Sequence, residues 1–249
     1  MYGIQTVKET YRFAELNISV ESLYEEVHRL CADYRVRDDS DFKVCTIQAD
    51  IEYEREKTAR EDALEGLSVR KFRDGYLETL AVYRKIAEIL PTYDAILIHG
   101  SCVAVDDEGY LFVAKSGIGK STHTKLWREL LGERAVMIND DKPLIRIDDN
   151  GVRIYGTPWD GKHRLSTNAS VSLKAICILE RSCDNSICSI SAKDAYPMLL
   201  QQVYRPMDGN AMSKTLFLID RLAVSVSLWR LKCNMDIEAA RIAYDTMKG

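Results

Sequence analysis

The chain has 249 residues with 34 Lys plus Arg against 38 Asp plus Glu, a net charge of -4, and 46% hydrophobic and 29% charged residues. That balance excludes a disordered tail, a collagen-like repeat and a coiled-coil rod, and the length suffices for one large core or two small ones. Residues 1–94 carry 14 basic and 20 acidic side chains and the remaining 155 carry 20 and 18, a mild asymmetry that suits an anion near the C-terminal part but lacks the strongly basic face a nucleic acid needs.

In chain order, the first periodic stretch is Val20, Leu23, Tyr24, Val27, Leu30 and Cys31, which predicts a helix with Ser22 and Glu25 as its capping box and His28 on its polar side. Residues 41–54 read as extended, and the Glu- and Arg-rich stretch after them shows no period, so strand pairing and a mobile loop are expected. Tyr76, Leu80, Tyr83, Ala87 and Leu90 recur at helical spacing until Pro91 stops them. From residue 95 short apolar runs alternate with turn residues. Runs 95–105 and 110–114, joined by Asp106-Asp107-Glu108-Gly109, predict an antiparallel hairpin with a four-residue turn. There follow a Gly-rich loop, a helix over Lys120–Leu131, a strand at 134–138, a hairpin through Asp148-Asp149-Asn150-Gly151, and a strand at 174–180. Helical segments at 196–203 and 216–222, a strand at 225–232 and a last helix over Ile237–Met247 complete the chain. The simplest partition is an N-terminal α+β unit over 1–94 and a nucleotide-binding domain over 95–249.

The chemistry concentrates at 114–122, Ala-Lys-Ser-Gly-Ile-Gly-Lys-Ser-Thr, which departs from the phosphate-loop pattern GxxxxGK[ST] only in carrying Ala114 at its first position. Gly117 and Gly119 permit the backbone turns that aim successive amides at phosphate oxygens, and the following helix adds its positive end. Lys120 would reach the outer phosphates and Ser121 would bind Mg²⁺. Such a loop needs a carboxylate at a neighbouring strand end. Asp140 and Asp141 supply two, one to hold Mg²⁺ and the other to accept the proton of an attacking hydroxyl. His99 and His123 carry no local signal of a site; His123 is expected to pack or to face solvent. The loop around Trp159 gathers Asp160, Lys162, His163 and Arg164 between glycines, equally suited to a rigid turn and to contacts with a phosphate or an acceptor.

The run HGSCVAVDDEGYLFVAKSGIGKSTHTKLW, with INDDKPLIRI, GTPWDGK and SLKAICILER, resembles the HPr kinase/phosphorylase and PEP carboxykinase superfamily, and especially its small bacterial HPr kinase-like proteins, over about residues 95–247. The resemblance implies an α/β (mixed α+β) fold: a P-loop core with a mixed, partly antiparallel sheet, beside the smaller N-terminal unit. It implies that Ser116, Gly117, Ile118, Gly119, Lys120, Ser121 and Thr122 bind ATP, that Ser121, Asp140 and Asp141 hold Mg²⁺, and that His99 joins Lys120 and the aspartates near the transferred phosphate. Thr122 stands where HPr kinases usually carry Glu, and their Gly-Arg-Asn-type segment is absent, which argues against HPr as the acceptor.

The expectation is therefore an Mg²⁺-dependent kinase transferring the γ-phosphoryl of ATP to a hydroxyl of a protein, peptide or small molecule. A catalytically silent nucleotide-binding regulator and a simple ATPase are the alternatives. No nucleic acid or membrane partner is expected, and the superfamily's habits allow a homo-oligomer. Seven cysteines without CxxC spacing read as reduced thiols. With no secretory signal in MYGIQTVKETYRF, that suggests a cytoplasmic protein.

Overall fold

The computed structural model describes residues 6–64 and 66–249, and its contacts divide the chain into two units, Met1–Ala87 and Glu88–Gly249. The first opens with a hairpin of β1 (Val7–Phe13) and β2 (Leu16–Ser22). Ala14 and Glu15 between them both have positive φ, the turn that matches the twist of two antiparallel strands. The single helical face expected from Val20 to Cys31 is thereby split: Val20 lies in β2, and helix α1 covers only Glu25–Leu30. Ser22 does not cap that helix; its hydroxyl bonds the Tyr24 carbonyl and His28, while the buried Glu78 carboxylate takes the Leu23 and Tyr24 amides at 2.7 and 2.8 Å. His28 is buried instead of lying on a polar face, hydrogen-bonded to the Tyr11 hydroxyl at 2.6 Å. Strands β3 (Arg35–Val36) and β4 (Phe42–Cys45) complete a sheet ordered β3-β1-β2-β4, with β4 parallel to β2.

Where a mobile loop was expected, helix α2 spans Gln48–Leu64. Its inward positions include Ile51, Glu54 and Asp62. The Arg84 guanidinium meets Glu54 at 2.5 Å and Asp50 at 3.3 Å, and Arg70 meets Asp62 at 2.6 Å. A helix buried through ion pairs has no apolar stripe, so a search for hydrophobic periodicity passes over it. Helix α3 (Asp74–Ile89) stops before Pro91, with Leu77, Ala81, Val82 and Ile86 inward and Tyr76 outward.

In the second unit the run expected as one strand over 95–105 is two, β5 (Ala95–Leu97) and β6 (Ser101–Val105), broken at Ile98-His99-Gly100. Strand β7 (Glu108–Val113) pairs antiparallel with β6. The turn is the two residues Asp106 and Asp107, both at positive φ, and not the four-residue loop anticipated. After β7 come α4 (Lys120–Leu131), β8 (Ala135–Asn139), β9 (Leu144–Asp148), β10 (Gly151–Tyr155) and β11 (Ser170–Arg181). Strand β12 (Ser186–Ser189), which carried no sequence signal, precedes α5 (Ala192–Gln202), α6 (Gly209–Ser225), β13 (Ser227–Cys233) and α7 (Ile237–Met247).

The sheet runs β5-β9-β10-β11-β7-β6-β8, with β13 also paired to β11 and β12 to β13. Strand β11 is the pivot: it lies parallel to β7 and β13 and antiparallel to β10, so the sheet is mixed. Alternation along the central strands divides the core by face. Leu111, Val113, Ile176 and Ile178 pack with Leu199 of α5 and Leu218 and Leu222 of α6, whereas Tyr110, Phe112, Cys177 and Leu179 pack with Trp127 of α4 and Ala240 and Ala243 of α7. Together the units make a mixed α/β chain. No helix among the described residues is long and apolar enough to cross a membrane.

Candidate functional site

Strand β7 delivers the chain to the Gly-rich loop and α4 carries it away. Gly117 and Gly119 have φ of 75° and 118°, a region L side chains rarely adopt, so both glycines are conformational requirements. Ala114, at the departing first position, is buried at the end of β7, and its φ is not among the positive ones; a methyl group there meets no backbone demand for glycine. Among the described residues no side chain caps the N-terminus of α4, which leaves the orphan amides and the positive end of the helix available to an anion. Residues Ser116, Gly117, Ser121 and Thr122 are exposed, and Ile118, Gly119 and Lys120 are half-buried.

The loop is tied down from a residue without any local motif. Arg181, the last of β11, donates through Nη2 to the Gly117 carbonyl at 2.5 Å and through Nε to the Ile118 carbonyl at 3.4 Å. Lys120 Nζ reaches back to the Ala114 carbonyl at 3.5 Å. Burial pulls the Lys120 ammonium below the usual lysine range, against the opposing pull of Asp141 and Asp140.

Both aspartates stand at the end of β8, and the buried Asn139 before them shapes their turn. Its Oδ1 accepts the amides of Asp141 and Lys142 at 2.9 and 2.6 Å, and its Nδ2 donates to the Thr157 carbonyl at 3.0 Å and hydroxyl at 3.1 Å. Asp140 is buried, and its Oδ1 accepts from Ser101 Oγ at 2.7 Å. That hydroxyl also meets Thr124 Oγ1 of α4 at 2.9 Å. Asp141 is partly exposed and lies 3.2 Å from His99 Nε2. The Gly100 amide bonds the Asp141 carbonyl at 3.0 Å, which fixes the backbone that carries His99. Burial would raise the Asp141 carboxyl, but the His99 hydrogen bond and the charges of Lys142 and Lys120 hold it below the usual carboxylate range.

The loop after β10 is held by Asp160, whose Oδ2 takes the Ser166 amide and hydroxyl at 3.2 and 3.0 Å. Asp160 is thus a strut of the loop, and Trp159 is a packed anchor. Lys162, His163 and Arg164 are exposed, and of the three His163 lines a cleft of about 600 Å³ that also touches Ser121, Thr122 and Asp140. Gly161 passes close to the aspartates: a Cβ there would stand 2.9 Å from Asp140 Oδ2.

The loop, Lys120, Ser121, both aspartates and His99 therefore converge at one end of the sheet, while Lys162 and Arg164 lie outside the cleft. Ser101, Thr124, Asn139 and Arg181 join them without having been singled out. Asn139 was legible as a turn residue before the aspartate pair; the others had no local cue.

No family model matches the chain, and no curated protein matches it. Among solved structures the chain is similar to an HPr(Ser) kinase/phosphatase from Coxiella burnetii, at 10% identity and a TM-score of 0.33, over 61% of this chain and 99% of that one. That is a distant, fold-level resemblance.

Proposed function

We propose that the Glu88–Gly249 unit is an ATP- and Mg²⁺-dependent phosphotransferase that moves the γ-phosphoryl group onto a hydroxyl of a protein, peptide or small molecule. The observation that carries this reading is the placement of Asp140 and Ser121 in one cleft at the uncapped N-terminus of α4, the helix that begins with Lys120. An amide-lined loop with an ammonium suits a polyphosphate, and nearby carboxylates suit its metal and an attacking hydroxyl. Ser121, Asp140 and Asp141 offer only oxygen donors, the kind a hard divalent cation takes. Among the described residues no cluster of three or more His, Cys, Asp or Glu could hold a metal, so phosphate and water oxygens would complete the shell. Bound there, Mg²⁺ would supply charge neutralisation on the β- and γ-phosphates.

In the transfer, a carboxylate takes the proton of the acceptor hydroxyl while the acceptor oxygen bonds to the γ-phosphorus. The bond from that phosphorus to the bridging oxygen breaks, and ADP leaves with the electron pair. Asp140 suits the base: it borders the cleft beside Ser121. Asp141, held ionised by His99 and two lysines, suits a fixed charge. Lys120 would offset charge on the phosphoryl oxygens, and such positioning and electrostatics account for most of the catalysis in this class of reaction.

The test is calorimetric titration of ATP with and without Mg²⁺ into wild type and Lys120→Ala, followed by transfer from γ-labelled ATP into a lysate with wild type, Asp140→Asn and Asp141→Asn. Metal-dependent binding weakened in Lys120→Ala, with a labelled product lost in the aspartate variants, is expected. Binding without any transfer would point instead to a nucleotide-controlled regulator. Turnover of ATP without an acceptor would point to a hydrolase, and absence of binding would remove the loop from function.

A further inference from the structure

The cleft does not end at the aspartates. It continues along α4, with Ser121, Lys125 and Arg128 on one wall and Asp140, His163 and Leu165 on the other. Positions 121, 125 and 128 share one helical face, and the seven helical steps from Ser121 to Arg128 span about 10 Å of helix axis. The two ends differ in charge. At one end is the Asp140 carboxylate, anchored by Ser101. At the other, Lys125 Nζ reaches Glu129 at 3.5 Å, an exposed pair, whereas Arg128, a half-buried residue, makes no side-chain hydrogen bond or ion pair among the described residues. A guanidinium with its donors unspent is suited to a carboxylate or phosphate, which it can grip through two parallel N–H bonds. Met137 and Leu165 also line the cleft and offer it apolar surface.

We propose that this cleft is the acceptor subsite, and that it selects hydroxyl compounds bearing an anionic group, carboxylate or phosphate, remote from the reacting oxygen. Arg128 binds the anionic group while the hydroxyl lies at Asp140. The hydroxyl end rests on the kinase reading above; the anion site at Arg128 does not. A neutral hydroxyl compound leaves Arg128 unpaired and is discriminated against for that reason.

The experiment titrates inorganic phosphate, and separately acetate, into the full chain held in saturating Mg–ADP, with binding followed by NMR shifts of the protein. Arg128→Gln and Arg128→Lys are compared with wild type, and melting curves confirm that each is folded. Anion binding that persists beside ADP, weakens about tenfold or more in Arg128→Gln and recovers in part in Arg128→Lys is expected. The stronger of the two anions identifies the favoured acidic group. Loss of all anion binding once ADP occupies the loop, or binding unchanged in Arg128→Gln, would overturn the proposal. Failure of Mg–ADP itself to bind would instead sink the kinase reading, while an Arg128-dependent phosphate site would survive it.

Discussion

The guanidinium of Arg181 closes over the carbonyl of Gly117, 64 positions earlier in the chain. With that carbonyl and its neighbour at Ile118 held by Arg181, the loop amides are left to turn toward the site. The strand that carries Arg181 is central in the sheet, so the loop takes its rigidity from the core.

Replacing this residue tests that link. Arg181→Gln is expected to weaken Mg–ATP binding about tenfold, the scale of one lost charge-assisted hydrogen bond. Stability should change by no more than about 0.5 kcal/mol, as for other surface substitutions. Arg181→Lys should restore affinity only in part, because an ammonium cannot fork across two carbonyls. Calorimetry and thermal melting measure both effects, and wild-type affinity in Arg181→Gln would show that the clamp is irrelevant to binding.

Gly161→Ala places a methyl group 2.9 Å from Asp140 Oδ2. The carboxylate cannot yield freely because Ser101 holds its other oxygen. Phosphoryl transfer should fall by about a hundredfold, the cost of misplacing a reacting group by about 1 Å, with ATP affinity nearly unchanged. Single-turnover transfer beside equilibrium ATP binding separates the two, and normal transfer in this variant would dismiss Asp140 as the base.

His99 and Asp141 should act as one unit. The His99 hydrogen bond helps hold the Asp141 carboxyl below its usual range, so in His99→Ala the acid limb of the activity profile should move to higher pH. In a double-mutant cycle with Asp141→Asn the losses should be less than additive. The stabilisation from Asp141 is present above the ordinary carboxylate value and is lost as pH falls through the lowered one. An unshifted acid limb in His99→Ala would refute the coupling.

His123 predicts a separate pH effect on stability. Its ring is buried on α4, with Nε2 accepting from the Trp127 indole at 3.1 Å and Nδ1 without a partner among the described residues. Burial lowers its pKa to about 4. The unfolded chain, with an ordinary histidine, binds the proton first, so stability falls as pH drops from about 6.5 to about 4 and levels off below; the loss is about 3 kcal/mol. Urea unfolding at pH 7 and pH 4.5 in wild type and His123→Phe measures it. A slope of equal size in the variant would assign the effect elsewhere.

Features governed by neighbours in the chain were readable without a structure. Helices α4 and α7 begin and end where their apolar spacing placed them, and Gly117 and Gly119 adopt the positive φ that their loop pattern called for. Helix α2 was not readable, since its inward face is met by Arg84 and Arg70 rather than by apolar side chains. Nor was the break at Ile98-His99-Gly100, because β5 pairs with β9 and β6 with β7 and β8, choices made by distant strands.

The chemistry of the site divides along the same line. Glycines that permit a loop, a lysine at a helix start and two aspartates at a strand end are short-range patterns set by backbone sterics and by spacing, and the amino-acid order alone carries them. That Ser101 holds Asp140, that His99 faces Asp141 and that Arg181 grips Gly117 follow from strand order and register in a mixed sheet. Those contacts join residues tens of positions apart, where no periodicity connects them, and only burial of the two faces of the sheet brings them within hydrogen-bonding distance.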